Sequence, residues 1–516
     1  MTRKSGVLLH FSSLATKFGT GDLGPEADKF IKFLSASGFS MWQVLPVNPV
    51  SEAFGYSPYS SYSAFAGNEI LISPEQLADD GLISREDLAS SYITGSKTLY
   101  RAASVIKEKL FRKAYKNFIT NENGLFTCKQ TAMRSFIKEE KSWLIPYAAF
   151  LLLKKMNSGS VWNEWGACSA PENHGVKEFL SSEEAMAEAE YIYFKQYLFY
   201  SQLSDLKNKA NSKGISLIGD VPMFVCHDSA DVWSHQELFD LDEKGRSRSS
   251  AGVPPDYFSK EGQLWGNPLY NWDKMAEDNY SWWVKRITHQ LKYFDIIRID
   301  HFRGLSSAWA VPASSQSARD GHWVHAHGYE MLTALTQELK AEGRLKIIAE
   351  DLGLITEDVI ALRRDFGLPG MKILHFAFGS DSNNSYLPHN IEKNSVLYTG
   401  THDNNTTEGW WHCDASDTEK KNFAMYCGMD SKSENVSLRM NSLALTSPAD
   451  TVILTIQDIL SLGEEARMNI PGTTKENWRW SLSEEDRYRL FYDPAISTGL
   501  RKMNEICGRA PQKTEA

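Results

Sequence analysis

The chain has 516 residues, with 55 Lys and Arg against 65 Asp and Glu, a net charge of −10 and 12% aromatic residues. No window gathers Lys and Arg densely enough to track a phosphate backbone, which excludes nucleic acid as a partner, and the longest apolar run, around Ala148 to Leu153, stops at Lys154 and Lys155, far too short to span a bilayer. The six cysteines, Cys128, Cys168, Cys226, Cys413, Cys427 and Cys507, show no CxxC spacing, so neither a disulfide framework nor a zinc cluster is expected, and reduced, mostly buried thiols are.

At the N-terminus the apolar run Val7 to Leu9 ends at His10, short of a signal-peptide core, and a cytoplasmic location is expected. The run Gly6 to His10 reads as a strand. Pro25 then opens a helical pattern through Phe30, Phe33 and Leu34 that closes at Gly38, with Pro near N1 and Gly at C′. Met41 to Pro46 is again strand-like, so the opening reads as βαβ and a parallel sheet. From about Ser73 to Lys213 the pattern changes to long helices, beginning with Ser73-Pro74-Glu75-Gln76 spaced like a capping box. The strand rhythm resumes at Ile215 to Asp220, Phe294 to Asp300, Leu345 to Asp351, Gly370 to Leu374, Ser395 to Gly400 and Thr451 to Ile456. Between them fall a helix carrying Met331, Leu332, Leu335 and Leu339 and another from Thr356 to Gly367.

Eight strand candidates alternating with helices predict a (β/α)8 TIM barrel, in which reacting groups sit where strands end. By length alone the chain would hold about three domains of ~150 residues, but one barrel with insertions accounts for it. The insertions are expected at approximately 73–213, helical, and 221–280, lining a cleft. A doubly wound sheet is the alternative, yet no Gly-rich phosphate loop follows the first strand.

The strand ends read Asp220, then Arg298 with Asp300, then Glu350 with Asp351, then His402 with Asp403. One such Asp is usually a cap or a turn; carboxylates at four successive ends point to chemistry. Two carboxylates flanking a bond are the apparatus of glycoside cleavage and need no metal or other cofactor. Arg298 lies two residues before Asp300, on the same strand face, and would hold it ionised; Glu350 follows the apolar run Ile347-Ile348-Ala349, which would raise its pKa. These arguments alone leave open which carboxylate does what.

The segments Arg298 to Gly304 (RIDHFRG), Ile347 to Gly353 (IIAEDLG) and Gly400 to Thr406 (GTHDNNT) together resemble the catalytic regions of the α-amylase clan. Ser57 to Asn68, Gly219 to Val225, Ala251 to Tyr270 and Glu465 to Thr473 narrow the resemblance to the 4-α-glucanotransferases of glycoside hydrolase family 77, over about Gly6 to Trp480. The resemblance implies a retaining mechanism with Asp300 as nucleophile, Glu350 as acid/base and Asp403 as the stabiliser of the distorted donor ring. It further implies sugar contacts from Arg298, His402, Asp220, Tyr59, Ser57, Asn267 and His301, and a lid over the cleft whose Gly252, Gly262 and Gly266 allow movement and whose Tyr257, Phe258 and Trp265 offer stacking faces. The partners implied are α-1,4-glucans, maltooligosaccharides and glucose. A glucan hydrolase of the same clan and a catalytically inactive glucan-binding barrel are the alternatives. The chain departs from the family at Trp323-Val324-His325-Ala326-His327-Gly328, where a tryptophan is usually followed shortly by Gly-Pro-Gly; His322, His325 and His327 are expected in a solvated loop and not as metal ligands. With little chain after Trp480, no C-terminal β-sandwich domain is expected.

Overall fold

The computed structural model describes residues 3–93, 95–255, 260–340, 345–429, 435–474 and 476–511. Its strands in chain order are β1 (Lys4–Leu8), β2 (Met41–Gln43), β3 (Ser216–Val221), β4 (Ser249–Val253), β5 (Gln263–Pro268), β6 (Ile296–Ile299), β7 (Ser307–Pro312), β8 (His322–His325), β9 (Ile347–Ala349), β10 (Gly370–Ile373), β11 (Ser395–Tyr398) and β12 (Thr451–Thr455). Eight of these, in the order β1-β12-β11-β10-β9-β6-β3-β2, close into a barrel with every neighbour parallel. They are the eight strands that the apolar runs predict, within a few residues at each end.

The two-residue period of the strands decides what faces where. Ile218, Ile348, Met371, Ile373, Val396, Tyr398 and Ile453 turn into the barrel and pack on one another. Leu217, Ile297, Ile299, Ile347 and Leu397 turn outward into a single apolar layer shared with the surrounding helices. On β1 the inward position is Gly6, where a Cβ would come within 2.6 Å of Met41 and 2.9 Å of Ile453. The interior is a filled core, and acidic and basic side chains gather at its C-terminal mouth.

The first helix, Pro25–Ala36, starts with Pro at N1 and is followed by Gly38 at φ +76. Among the described residues, six α-helices run between β2 and β3, Pro74–Asp79, Arg85–Ala89, Tyr100–Thr120, Thr127–Met156, His174–Leu180 and Glu183–Ser212. The last packs on both Pro25–Ala36 and β3, as a barrel helix does. At Ser73 only half of the capping box forms: Ser73 Oγ accepts from the Gln76 N–H at 3.5 Å, while the Gln76 side chain donates to the Leu23 carbonyl at 2.8 Å.

Two expectations are corrected. The six cysteines are free, but only Cys226 and Cys507 are buried; Cys168 and Cys427 are half-buried, and Cys128 and Cys413 are exposed on helical turns. His322 and His325 lie on β8 and not in a loop, as the edge of an antiparallel four-stranded sheet ordered β5-β4-β7-β8 over the barrel mouth. Trp323 meets Trp309 of β7 edge-on at 5.0 Å, which holds an otherwise polar segment in strand form. His327 faces Tyr280 Oη at 3.1 Å. Among the described residues no group of three or more His, Cys, Asp or Glu is arranged to hold a metal ion, and no helix is long and apolar enough to cross a membrane.

The helical block is tied to the barrel by Lys107, whose fully buried ammonium donates to Asp22 at 3.1 Å and to the Ile70 and Ile72 carbonyls at 2.7 and 3.0 Å. Removing one partner strands a buried charge. Lys107→Ala is therefore expected to lose about 3–5 kcal/mol in urea unfolding, and Asp22→Asn combined with Lys107→Met to recover part of it; a loss below about 1 kcal/mol for Lys107→Ala would contradict the assignment.

Candidate active site

The alternation that fills the barrel continues past its strand ends. Ile218 faces inward on β3, so Asp220 does too; Ile296, Arg298 and Asp300 share one face at β6, and Ile348 and Glu350 share one at β9. The ladder extends beyond the assigned strands: Asp300 N–H donates to the Val221 carbonyl at 2.9 Å, and Glu350 N–H to that of Ile299 at 3.1 Å. The reacting side chains thus stand on backbone that is fixed as firmly as the sheet.

Asp220 and Arg298 are direct partners across β3 and β6. The Arg298 Nη1 donates to both Asp220 oxygens at 2.8 Å, Nη2 donates to Asp300 Oδ1 at 2.8 Å, and Nε rests against the Met371 sulfur at 3.3 Å. Arg298 is 4% exposed and Asp220 3%. Burial works against the guanidinium charge, but Asp220 and Asp300 outweigh it and hold the Arg298 pKa well above its ordinary value. Tyr59 Oη donates to Asp220 Oδ2 at 2.8 Å, and its ring stacks on His402 at 5.1 Å. Ser57 Oγ accepts the Tyr59 N–H at 3.3 Å, which shapes the turn presenting that ring.

Glu350 has a different setting. Its Oε2 accepts from the His301 N–H at 2.6 Å and its Oε1 from that of Leu352 at 2.9 Å. Burial, then the charge of Asp300, raise its pKa to about 7, against the opposing pull of Arg298 and the two N–H groups. His301 reaches its position through a left-handed backbone, φ 47, rare for a side chain of its size. Burial lowers the pKa of its imidazole to about 4, and the ring meets Trp265 edge-on at 4.8 Å. Asp351, next in sequence, turns outward to the Met371 N–H at 2.7 Å and Arg363 at 3.2 Å, a structural use.

Asp403 lies 3.4 Å from His402 Nε2. Asn469 Nδ2 donates to its Oδ1 at 2.6 Å, and Arg467 donates to its carbonyl at 3.0 Å. Trp478 completes an aromatic group with Tyr59 and His402, 5.8 Å from each, from a left-handed backbone at φ 67. Asn469, Arg467 and Trp478 receive no role in the sequence reading; the polar residues of EARMNIPGT are the signal that could have found the first two.

The lid segment is an ordered hairpin where it is described. Gly252 sits in β4, where a Cβ would come within 2.3 Å of the Gln263 carbonyl, so close strand approach and not mobility explains it; Gly262 and Gly266 have φ of +70 and +81. Trp265, 37% exposed, projects from β5, and Asn267 donates to the Val225 carbonyl at 2.9 Å. Tyr257 and Phe258 lie outside the described residues.

A closed parallel barrel whose mouth gathers Asp300, Glu350 and Asp403, one carboxylate held by a buried arginine and another raised by burial, defines an enzyme that works on glycosidic bonds. The 4-alpha-glucanotransferase profile of glycoside hydrolase family 77 matches residues 9–486. The 4-alpha-glucanotransferase of Aquifex aeolicus is 42% identical over 94% of this chain and 96% of its own, and that of Thermus thermophilus is 41% identical over 99% of each. The solved amylomaltase from Streptococcus agalactiae, in complex with acarbose, superposes with a TM-score of 0.91 at 35% identity over 99% of this chain and 100% of its own. The chain belongs to the 4-alpha-glucanotransferase (amylomaltase) family.

The Asn469 contact predicts a separable effect. Asn469→Ala removes a charge-assisted hydrogen bond worth about 1.5–3 kcal/mol, so glucan-transfer kcat is expected to fall about 10- to 100-fold while the melting temperature moves by no more than about 2 °C. Unchanged kcat would show that Asp403 does not depend on it.

Proposed function

We propose that the chain transfers a segment of an α-1,4-glucan to the 4-OH of glucose or a maltooligosaccharide by retaining double displacement. The observation that carries this is the unequal pair of carboxylates: Asp300 is ion-paired to Arg298 at 2.8 Å, while Glu350 has its pKa raised to about 7. An ionised oxygen of Asp300 attacks the anomeric carbon as protonated Glu350 gives its proton to the glycosidic oxygen, and the reducing-end fragment leaves. Glu350, now a carboxylate, takes the proton of the acceptor 4-OH, whose oxygen displaces Asp300 from the anomeric carbon. Asp403, with His402 beside it, grips donor-ring hydroxyls and favours the flattened transition state. Arg298, Asp220, Tyr59 and His301 hold the donor ring, with Ser57 setting the Tyr59 turn, and Trp265, Asn267, Tyr257 and Phe258 serve the acceptor side.

Transfer requires the glycosyl-enzyme to outlast encounters with water, and the hairpin β4–β5 with Trp265 beside His301 supports that reading over simple hydrolysis. The chain acts as a single catalytic barrel bearing insertions at approximately 73–213 and 221–280, which agrees with one apolar layer that runs from Val7 to Cys507. The expected location is cytoplasmic.

Incubated with maltotriose, the protein is expected to yield glucose and a ladder of longer maltooligosaccharides, and Asp300→Asn to lose at least ~10⁴-fold in turnover while still binding the sugar. Maltose and glucose in hydrolytic proportions, or full turnover by Asp300→Asn, would overturn the reading.

A further inference from the structure

Glu350 takes its bearings from the turn over residues 301–306. The His301 N–H donates to one of its carboxylate oxygens at 2.6 Å and the Phe302 N–H to its carbonyl at 3.0 Å, so two successive residues of the turn grip both the acid and its backbone. The next residue, Arg303, sends its side chain to the loop that follows Glu350. Its Nη1 donates to the Leu354 carbonyl at 2.8 Å and to Thr356 Oγ1 at 3.0 Å. Three consecutive residues, two by backbone and one by side chain, thereby fasten the turn to residues 350–356.

What covers this guanidinium is an indole. Its central carbon lies over the Trp323 ring, 3.9 Å from the ring centre, a contact suited to a flat, delocalised cation. Trp323 stands on β8, the edge of the sheet over the barrel mouth, and meets Trp309 of β7. Trp265 of the same sheet meets His301 edge-on at 4.8 Å, so the sheet touches the turn at two of its residues, His301 and Arg303. Arg303 is only 6% exposed, and its Nε–H has no acceptor among the described residues. Asp358, the carboxylate that acts on its charge, accepts instead from Ser306 Oγ. A buried cation so incompletely met is costly to folding, which makes stability alone a poor account of it.

We propose that Arg303 is a positioning residue for Glu350 and that Trp323 sets it. The ring fixes the plane of the guanidinium, the guanidinium fixes residues 350–356 against the turn, and the turn aims the carboxyl at the glycosidic oxygen. The sheet over the mouth thus aligns the proton donor. This rests on the acid/base role of Glu350 proposed above.

Proton donation can be separated from nucleophilic attack, because a glycosidic oxygen needs a proton to leave and fluoride does not. Steady-state turnover of maltotriose and single-turnover release of fluoride from α-maltotriosyl fluoride are measured on the full-length protein. Arg303→Met is expected to lower maltotriose kcat about 10- to 100-fold while fluoride release stays within about twofold of the parent protein. Trp323→Ala should give the same split and Trp323→Phe should retain most of the turnover. Adding Trp323→Ala to Arg303→Met should cost no more than a further ~twofold, since both act through one contact. Should Arg303→Met fold poorly, the two Trp323 variants decide. Equal losses on both substrates, or normal maltotriose turnover in Trp323→Ala, would overturn the positioning role. Glu350→Gln keeps the two readings apart: if it loses maltotriose turnover and keeps fluoride release, the acid/base assignment stands whatever Arg303 does, and if it keeps maltotriose turnover, both fall.

Discussion

One guanidinium group, taken out of water and clasped between two carboxylates, sets the terms for everything at the barrel mouth. Burying Arg298 is costly unless its charge is fully met. Asp220 meets it with two 2.8 Å contacts and Asp300 with one, and Tyr59 Oη adds a third hydrogen bond to Asp220. The strand register makes this possible, because Asp220 and Arg298 are opposite one another and Asp300 follows on the same face. Lysine, with a single point charge, could not bridge the two acids in this planar way. The inward face beneath is correspondingly closed, with Met371 against the guanidinium and Tyr398 hydrogen-bonded to Gln43 at 2.8 Å.

From this anchor follows the division between two carboxylates only a strand apart. Asp300 sits against the cation, with Arg298 Nη2 on its Oδ1 at 2.8 Å. Glu350 receives no direct contact from the cation, so burial and the Asp300 charge govern it and its proton is held to about pH 7. The left-handed turn at His301 serves the same division, since it aims a backbone N–H at one Glu350 oxygen and leaves the acid braced. His301 and Trp478, both bulky residues at positive φ, border this site.

The barrel was legible in sequence because parallel strands buried on both faces are written as apolar runs, and because a two-residue period carries Ile218 to Asp220 and Ile348 to Glu350 without ambiguity. The four-stranded sheet over the mouth was not. Its strands include SSAGV and HWVH, too polar and too short for either period to register, and they are held by pairing and by Trp309 against Trp323. Asn469 escaped notice for another reason: its contact with Asp403 spans 66 residues, and no local pattern encodes such a meeting. The exposed cysteines show the same limit, since spacing excludes a bridge but says nothing of burial.

Because the mechanism turns on a protonated Glu350 beside an ionised Asp300, the direct measurement is the titration of the Glu350 carboxyl, followed by infrared or carbon-13 difference spectra against Glu350→Gln. The carboxyl is expected to be protonated below about pH 7 and to lose its proton as pH rises through that value. In Asp300→Asn, which removes the charge that helps hold the proton, the midpoint is expected to shift downward. A Glu350 that titrates in the ordinary carboxylate range, or whose midpoint ignores the loss of Asp300, would contradict the account.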